Sequence, residues 1–405
     1  MKTGPIQILC VSRYFKGSEL MKAAFEDGHE VYLVTSTKLQ NDPWPWNCLT
    51  EVYYLDENEE GDWNTDHLIE GLAYQMKTVK FDIIISLDDF DVEHAALLRE
   101  YFRVSGMGET TARYFRDKLA MRMKAKEEGI PVPAFSSLFH DADIHHFTQR
   151  VSPPWLVKPR MQASATGIQK IHSEEELWKT LDELGNERHR YLIEKFAPGC
   201  VYHVDSLTFN GKVIFSKVSM YLDTPFEVAH GGGVFRSVTL DSDHEDEKNL
   251  QDLNRKVMDA FGMEYSASHT EFIKGKEDGK YYFLETSSRV GGAHISEMVE
   301  AATGINLWAE WLRIEVATLL GKPYKLPKVD KKHGGIIVSL SRYPHPDTSS
   351  FDDKEIVWRL DKKDHIGFIV TCDKTDKVLV LLDKFLSRIK DEFHASMPAP
   401  DRPTN

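Results

Sequence analysis

The sequence lacks the features that mark secreted, membrane-spanning and nucleic-acid-binding proteins. Its four cysteines are widely scattered and form no CxxC pair, which argues against a zinc site or a disulfide framework and favours reduced thiols. No apolar run approaches the roughly 20 residues that a membrane helix needs, and the apolar core of the N-terminus is too short for a signal peptide. A formal net charge of -14 argues against nucleic acid or an anionic membrane as the main partner.

Two common nucleotide-binding motifs are also absent. No GxGxxG follows the first predicted strand, so a dinucleotide-binding Rossmann domain is not supported, and the Walker motif GxxxxGK[ST] does not occur. The chain does begin with a strand at residues 6–12, a helix from Gly17 to Asp27 that ends before Gly28, and a second strand. This βαβ pattern predicts an N-terminal parallel α/β domain over residues 1–105.

Three aspartates follow the next buried strand of this domain, FDIIISL. Asp88, Asp89 and Asp91 would lie at the carboxyl end of a parallel strand, where α/β sheets usually bind ligands. Capping of the helix that follows is an equally good interpretation.

The rest of the chain mixes short strands and helices in the α+β manner. A chain of 405 residues is expected to form two or three domains. We expect a second domain over residues 106–329 and a small C-terminal α+β appendage over residues 330–405. The predicted fold class is therefore multidomain, α/β and α+β.

A predicted hairpin over residues 269–285 carries two carboxylates, Glu271 and Glu285. A two-residue turn at 278–279 would place them on opposite faces of the hairpin. A three-residue loop at 277–279 would pair them directly, and we favour it because the glycine of the loop then takes the left-handed position. Like charges directly opposite each other destabilise a sheet, and a divalent cation between them would remove that penalty. Periodicity alone leaves open the alternative of two exposed glutamates.

Cationic side chains and a run of small residues accompany these carboxylates. Lys118 lies on the first predicted helix of the second domain, Lys158 ends the strand WLVK, and Arg289 follows the second carboxylate. A single lysine is almost always solvated, but this whole set is what a nucleoside triphosphate with magnesium requires. The segment RMQASATGIQK after Lys158 could lay backbone N–H groups over phosphates.

The order of these motifs resembles the ATP-grasp superfamily over about residues 5–325, and within it the carboxylate–amine ligase branch. The motifs are RDK (116–118), LVKPR (156–160), the small-residue loop (162–167), LIEKFAPG (192–199), VDSLTFNG (204–211), HTEF (269–272) and FLETSSRVGG (283–292). The resemblance implies an ATP-grasp fold in which ATP is held between two α+β lobes, with a lid subdomain at about residues 135–195.

The resemblance also implies a role for each matching residue. The residues assigned to ATP are Lys118, Lys158, Ala163, Ser164, Ala165, Thr166, Gly167, Glu194, Lys195 and Phe196, the last three facing the adenine. Those assigned to Mg²⁺ (or Mn²⁺) are Glu271 and Glu285, with Ser287 as a weaker third ligand. Those assigned to the substrate are Arg289, Gly291, Gly292 and His294, and the catalytic residues are Arg289 and Lys158. Arg289 would stabilise the transferred phosphoryl group or orient the acceptor carboxylate.

Two positions depart from the family pattern. Many members have an asparagine where this chain has Ser287, and a ribose-binding glutamate where it has Val201. His203 or Asp205 could take over the contact to the ribose.

These features predict an ATP-dependent carboxylate–amine ligase that forms an amide bond through an acyl phosphate and acts on amino acids or similar small acids. One alternative is a bicarbonate-using carboxylase like biotin carboxylase, and another is a catalytically silent ATP-binding subunit. We expect small-molecule carboxylate and amine substrates as partners, no nucleic acid and no membrane, a cytoplasmic location, and a homodimer as one candidate oligomeric state.

Overall fold

The computed structural model describes residues 4–163 and 166–396. Ser164 and Ala165 of the predicted phosphate loop, and the tail from Met397, lie outside the described residues. Within the described parts of the chain, no helix is long and apolar enough to cross a membrane.

The first unit is a parallel sheet of four strands in the order β3-β2-β1-β4, which confirms the predicted α/β domain. Its elements are β1 (Gln7–Ser12), α1 (Ser18–Glu26), β2 (Glu30–Ser36), β3 (Glu51–Leu55), α2 (Thr65–Gln75), β4 (Ile83–Ser86) and α3 (Val92–Phe102). The strands β1, β2 and β4 are buried along nearly their whole length, as expected of a sheet covered on both faces. Gly28 has φ 82, so it supplies the left-handed residue that ends α1.

Two helices lead into a small second sheet of antiparallel strands in the order β5-β8-β6-β7. The elements are α4 (Glu109–Arg113), α5 (Lys118–Glu127), β5 (Phe135–Ser137), α6 (Asp141–Arg150), β6 (Trp155–Pro159), β7 (Gln169–Ile171), α7 (Glu174–Leu184) and β8 (Tyr191–Lys195). This sheet has its own apolar core, which includes Trp155, Val157 and Ile193. The lid predicted for residues 135–195 falls on this sheet, and its movement stays a prediction.

The third unit is an eight-stranded sheet in the order β13-β12-β9-β10-β11-β14-β16-β15. Its elements are β9 (Gly199–Phe209), β10 (Lys212–Tyr221), α8 (Pro225–Gly231), β11 (Phe235–Thr239), α9 (Glu245–Ala260), β12 (Ser266–Gly275), β13 (Tyr281–Ser287), α10 (Ile295–Thr303), α11 (Leu307–Leu319), β14 (His333–Leu340), β15 (Ile356–Arg359), β16 (His365–Cys372) and α12 (Thr375–Glu392). The three C-terminal strands extend this sheet beyond β11, so the C-terminal segment is joined to the central unit by backbone pairing.

Candidate functional site

The hairpin of β12 and β13 pairs Glu271 directly with Glu285. Its turn is a four-residue loop, 276–279, in which Gly279 has φ 67. The predicted three-residue loop is therefore wrong. A β-bulge at Leu284 shifts the register by one residue and restores the predicted pairing of the two carboxylates, which is confirmed.

The two carboxylates have different neighbours. Nζ of Lys118 lies 2.7 Å from a carboxylate oxygen of Glu285, and the hydroxyl of Tyr221 donates to Oε1 of Glu271 at 2.9 Å. Burial by itself raises the pKa of Glu285, but the charges of Lys118 and Lys158 outweigh burial and lower that pKa. Both predicted lysines therefore lie around the same carboxylate.

Lys158, Glu194 and Arg122 form a buried charge cluster at the base of the small sheet. Both cations pair with the carboxylate of Glu194, the Arg122 guanidinium at 3.0 Å, and Glu194 is only 2% exposed. Burial lowers the pKa of Lys158, which Glu194 offsets only in part. Burial raises the pKa of Glu194, but Lys158 and Arg122 outweigh it, so that this pKa is lowered. The side chain of Glu194 thus points inward, and strand pairing with β5 and β6 engages this residue on both sides.

The backbone that follows is partly engaged. The N–H of Lys195 donates to the carbonyl of Ala134 at 2.7 Å, and the N–H of Phe196 donates to the carbonyl of Pro154 at 3.1 Å. Neither N–H can therefore contact a base, and an adenine contact here must use other backbone groups. The centroid of the Phe196 ring lies 3.8 Å from Nζ of Lys170.

The predicted phosphate loop lies beside Lys118. Nζ of Lys118 donates to the carbonyl of Gln162 at 2.6 Å, and the N–H of Thr166 donates to the carbonyl of Ala163 at 3.2 Å. Gly167 has φ 71, and a Cβ there would lie only 2.9 Å from a neighbouring proline ring. The described loop residues thus fold back on Lys118, where a triphosphate is expected.

The three aspartates after β4 divide between the two predicted roles. Asp88 caps the following 3₁₀ turn by accepting a backbone N–H at 3.1 Å, and it pairs with Lys16. Asp91 pairs with Arg13 at 3.0 Å. Both contacts lie within the first unit, so these two residues hold the strand end together.

Asp89 reaches from the first unit to the hairpin. Its carboxylate accepts a hydrogen bond from the hydroxyl of Ser287 and pairs with the guanidinium of Arg289. Burial raises the pKa of Asp89 and lowers the pKa of Arg289. The attraction between the two charges outweighs burial in both groups, so the pKa of Asp89 lies well below its ordinary value and the pKa of Arg289 lies above its ordinary value. Ser287 and Arg289 thus lie at the site, and both are engaged by an acid that the sequence analysis did not connect with them.

A buried polar network lies next to Glu271. His203 and His269 each hydrogen-bond through Nδ1 to the carboxylate of Asp205, at 2.7 and 2.8 Å, and Nε2 of His269 lies 3.7 Å from Oε1 of Glu271. Burial lowers the pKa of His269, but Asp205 outweighs burial and raises it to about 9. Because His203 and Asp205 are both 0% exposed, the suggestion that one of them contacts ribose is wrong.

The two glycines that follow Arg289 have different surroundings. A Cβ on Gly291 would lie 2.7 Å from the carboxylate of Asp205, whereas a Cβ on Gly292 would meet nothing within 4 Å. Gly291 is therefore required for packing against the buried network. The substrate contact that the resemblance assigned to Gly291 stays a prediction. His294 has φ 60, and its ring lies 4.7 Å from Trp358 of β15. The C-terminal segment thus reaches the loop that was assigned to substrate.

Comparisons with known proteins agree with this geometry. The family model for the C-terminal domain of D-Ala-D-Ala ligases matches residues 125–307. The L-arginine-specific L-amino acid ligase of Bacillus subtilis is 30% identical over 247 residues, which are 60% of this chain and 59% of that relative. An L-amino acid ligase from Bacillus licheniformis has a TM-score of 0.77 at 16% identity, covering 97% of this chain and 99% of that one. In sequence and in fold, the chain is thus similar to the carboxylate–amine ligases of the ATP-grasp superfamily.

A second solved structure extends the comparison. The biotin carboxylase domain of the Hydrogenobacter thermophilus 2-oxoglutarate carboxylase, solved as a dimer with MgADP and bicarbonate, has a TM-score of 0.73 at 18% identity, covering 98% of this chain and 91% of that one. At these identities the structural likeness concerns the fold, which confirms the predicted fold class. The chain spans 59% of the length of the Bacillus subtilis ligase.

Proposed function

We propose that this chain is an ATP-dependent carboxylate–amine ligase that joins amino acids, or similar small acids and amines, through an acyl phosphate. The observation that carries the proposal is the direct pairing of Glu271 with Glu285, with Lys118 and Lys158 around Glu285. The relative in Bacillus subtilis is named for an L-amino acid ligase, which supports amino acids as the substrate class.

The donor set at the hairpin fits a hard divalent cation. Two carboxylates stand directly opposite each other, an arrangement that costs free energy unless positive charge lies between them. Their oxygens are the ligands that Mg²⁺ and Mn²⁺ take in combination with phosphate oxygens and water. A cation bound there would neutralise phosphate charge during transfer. We assign Glu271 and Glu285 as its ligands, and Ser287 as a third ligand only after its hydroxyl leaves Asp89.

The two lysines are the groups we assign to the triphosphate. Lys118 is held by Glu285 and by the carbonyl of Gln162 beside the small-residue loop. Lys158 is held by Glu194, which also keeps Arg122. Both ammonium groups are thus oriented by protein partners before a nucleotide binds, which reduces the reorganisation that binding requires.

The proposed reaction has two steps. An oxygen of the substrate carboxylate attacks the γ-phosphorus of ATP, the bond to the bridging oxygen breaks, and ADP leaves with the electron pair. The amine nitrogen then attacks the acyl carbon, the bond from that carbon to the phosphate oxygen breaks, and the nitrogen loses a proton to the released phosphate. We assign Arg289, which pairs with Asp89 in the ligand-free protein, to orient the phosphorylated carboxylate once it leaves that partner. Closure of the small sheet would exclude water, which otherwise hydrolyses an acyl phosphate.

A phosphate-release assay tests the proposal. The purified chain is incubated with ATP and Mg²⁺ and with all pairs of the standard L-amino acids, and products are identified by mass spectrometry. We expect phosphate release that requires two amino acids and yields a dipeptide.

Two other results would contradict the proposal. Release that requires bicarbonate and yields a carboxylated product would assign a carboxylase instead. Binding of ATP without release under any condition would assign a silent nucleotide-binding subunit.

The proposal also covers the compartment and the assembly. The four cysteines are all free, which suits a reducing compartment such as the cytoplasm. A homodimer is the oligomeric state to test first, by light scattering, because the biotin carboxylase domain of similar fold is described as a dimer.

A further inference from the structure

The acidic side chains at the end of β4 are all neutralised within the protein. The pairs are Lys16 with Asp88, Arg13 with Asp91, and Arg289 with Asp89. Arg289, the arginine that the sequence analysis assigned to substrate, therefore already has an anionic partner. An anion that enters this region must displace Asp89 or find another cation.

Arg116 is a buried cation without such a partner. It is only 8% exposed, and its guanidinium makes no hydrogen bond or ion pair with any residue in the ranges 4–163 and 166–396. Its guanidinium carbon lies 4.5 Å from the centroid of the ring of Phe90. Every other buried arginine or lysine in those ranges donates to a carboxylate or to a backbone carbonyl.

Arg122, six residues further along the chain, shows how a structural arginine is held in this protein. It is 0% exposed, it pairs with Glu194 at 3.0 Å, and it also donates to the carbonyl of Leu284. Burial of an arginine without such partners costs free energy. Arg116 therefore reduces the stability of the ligand-free protein, and a bound anion would remove that cost.

Arg116 lies where the acid substrate is expected. Two residues further on, Lys118 contacts Glu285 of the proposed metal site. On the other side, Phe90 directly follows Asp89, the partner of Arg289. Against the effect of burial, the Arg289 and Arg116 guanidinium groups both lower the pKa of Asp89. Arg116 thus lies at the junction of the carboxyl end of the parallel sheet, where α/β sheets bind ligands, with the metal-binding hairpin.

We propose that Arg116 is a binding residue for a carboxylate group of the acid substrate. This rests on the proposed ligase function and names one group that holds its substrate. A planar guanidinium can donate two parallel hydrogen bonds to a carboxylate. The triphosphate has Lys118 and Lys158 for its own charge, so Arg116 serves the acid and Arg289 serves the phosphorylated product.

The first test compares the stabilities of two matched variants, Arg116→Met and Arg122→Met, by thermal unfolding without ligand. We expect the Tm of Arg116→Met to equal or exceed that of the wild type, because an unpaired buried charge is removed. We expect the Tm of Arg122→Met to fall, because Glu194 loses two hydrogen bonds and the carbonyl of Leu284 loses its donor. A fall of similar size in both variants would show a structural role for Arg116 and overturn the proposal.

The second test measures ligand binding without turnover. The wild type and Arg116→Met are titrated with ADP and Mg²⁺, and then with each standard L-amino acid in the presence of both, while Tm is recorded. We expect the shift caused by ADP to be equal in the two proteins, and at least one amino acid to raise the Tm of the wild type only. Where affinity is measurable, the loss in Arg116→Met should be about tenfold to hundredfold, and Arg116→Lys should recover part of it.

Three results of the second test would overturn the proposal: loss of the ADP shift in Arg116→Met, an amino-acid shift that persists in that variant, or no amino-acid shift in the wild type. Failure of the ligase function would look different, because an amino acid would then bind through Arg116 without any release of phosphate.

Discussion

Two substitutions separate the structural role of the Lys158–Glu194–Arg122 cluster from its role in nucleotide binding. In Glu194→Gln, two buried cations lose their shared anion. Removal of one member of a buried ion pair typically costs about 3–5 kcal/mol, and we expect the free energy of unfolding to fall by about that amount. In Lys158→Met, Glu194 keeps two hydrogen bonds from Arg122, at 3.0 and 3.1 Å. Methionine fills a similar volume, so the loss should stay below about 1.5 kcal/mol.

Nucleotide affinity should fall more in Lys158→Met than in Glu194→Gln, which is the opposite of the order expected for stability. Lys158→Met removes a charge-assisted hydrogen bond to a phosphate, which is worth about 1.5–3 kcal/mol and corresponds to about 10-fold to 150-fold in Kd. Glu194→Gln keeps the ammonium group and should weaken binding less, as long as the variant is assayed where it is folded. Urea unfolding gives the stabilities, and calorimetry with a non-hydrolysable ATP analogue and Mg²⁺ gives the affinities.

Lys179→Met is the control, because Lys179 lies on α7 of the same small sheet and its side chain is 78% exposed. Lys179→Met should change neither the free energy of unfolding nor the affinity for the nucleotide. Wild-type nucleotide affinity in Lys158→Met would remove Lys158 from the site. Wild-type stability in Glu194→Gln would refute the electrostatic reasoning.

The same cluster predicts a dependence on pH. Against the effect of burial, Lys158 and Arg122 hold the pKa of Glu194 below its ordinary value. A lowered folded-state pKa contributes stability that is present above the unfolded value and is lost as the pH falls through the folded value. We expect the wild type to lose more of its free energy of unfolding in acid than Glu194→Gln does.

Three further predictions concern the hairpin and its surroundings. Glu285→Gln should abolish phosphate release and the stabilisation by Mg²⁺ with ADP while the chain stays folded, whereas Glu277→Gln, at an exposed position of the same hairpin, should retain both. His269 has a folded pKa of about 9 against an ordinary 6.5. Its contribution to the free energy of unfolding is therefore complete below pH 6.5 and is lost as the pH rises through about 9. Urea unfolding of the wild type should show this fall in stability, and His269→Asn should lack it. Gly291→Ala, whose Cβ would lie 2.7 Å from a buried carboxylate oxygen, should cost about 1–3 kcal/mol, and equal stability of Gly291→Ala and Gly292→Ala would contradict the packing argument.

The pairing of the two carboxylates shows what local sequence rules can predict. Strand parity and the turn signal placed Glu271 opposite Glu285, although the loop is one residue longer than predicted. The bulge at Leu284 compensates for that extra residue. A bulge has no strong signal in a single sequence, because it depends on what the bulged residue contacts. Here the carbonyl of Leu284 accepts a hydrogen bond from Arg122, a residue from another unit.

The groups that the sequence did not reveal are those whose partners lie far away in the chain. Arg122 and Glu194 are 72 positions apart, and Asp89 and Arg289 are 200 positions apart. The contact of Asp89 with Arg289 joins two units, and the contact of Arg122 with Glu194 joins a helix to a strand. Each depends on how distant parts of the chain pack and not on any local spacing. The three aspartates after β4 were noticed at sequence level, but nothing there separates the two that stabilise their own unit from Asp89, which crosses to the hairpin.

The charge pairs of the ligand-free protein imply that metal and nucleotide bind cooperatively. Lys118 contacts Glu285 at 2.7 Å and donates to the carbonyl of Gln162 at 2.6 Å, so two of the three N–H donors of its ammonium group are already engaged. Coordination of a cation by Glu285 would free Lys118 for the triphosphate, and binding of the triphosphate by Lys118 would free Glu285 for the cation. Linkage requires the two effects to be equal, so Mg²⁺ should raise the affinity for ADP by the same factor by which ADP raises the affinity for Mg²⁺.

Calorimetry in both orders measures the factor. In Lys118→Met, Glu285 is free from the start, and we expect the factor to fall; an unchanged factor would show that the exchange of partners at Glu285 is not what couples the two ligands.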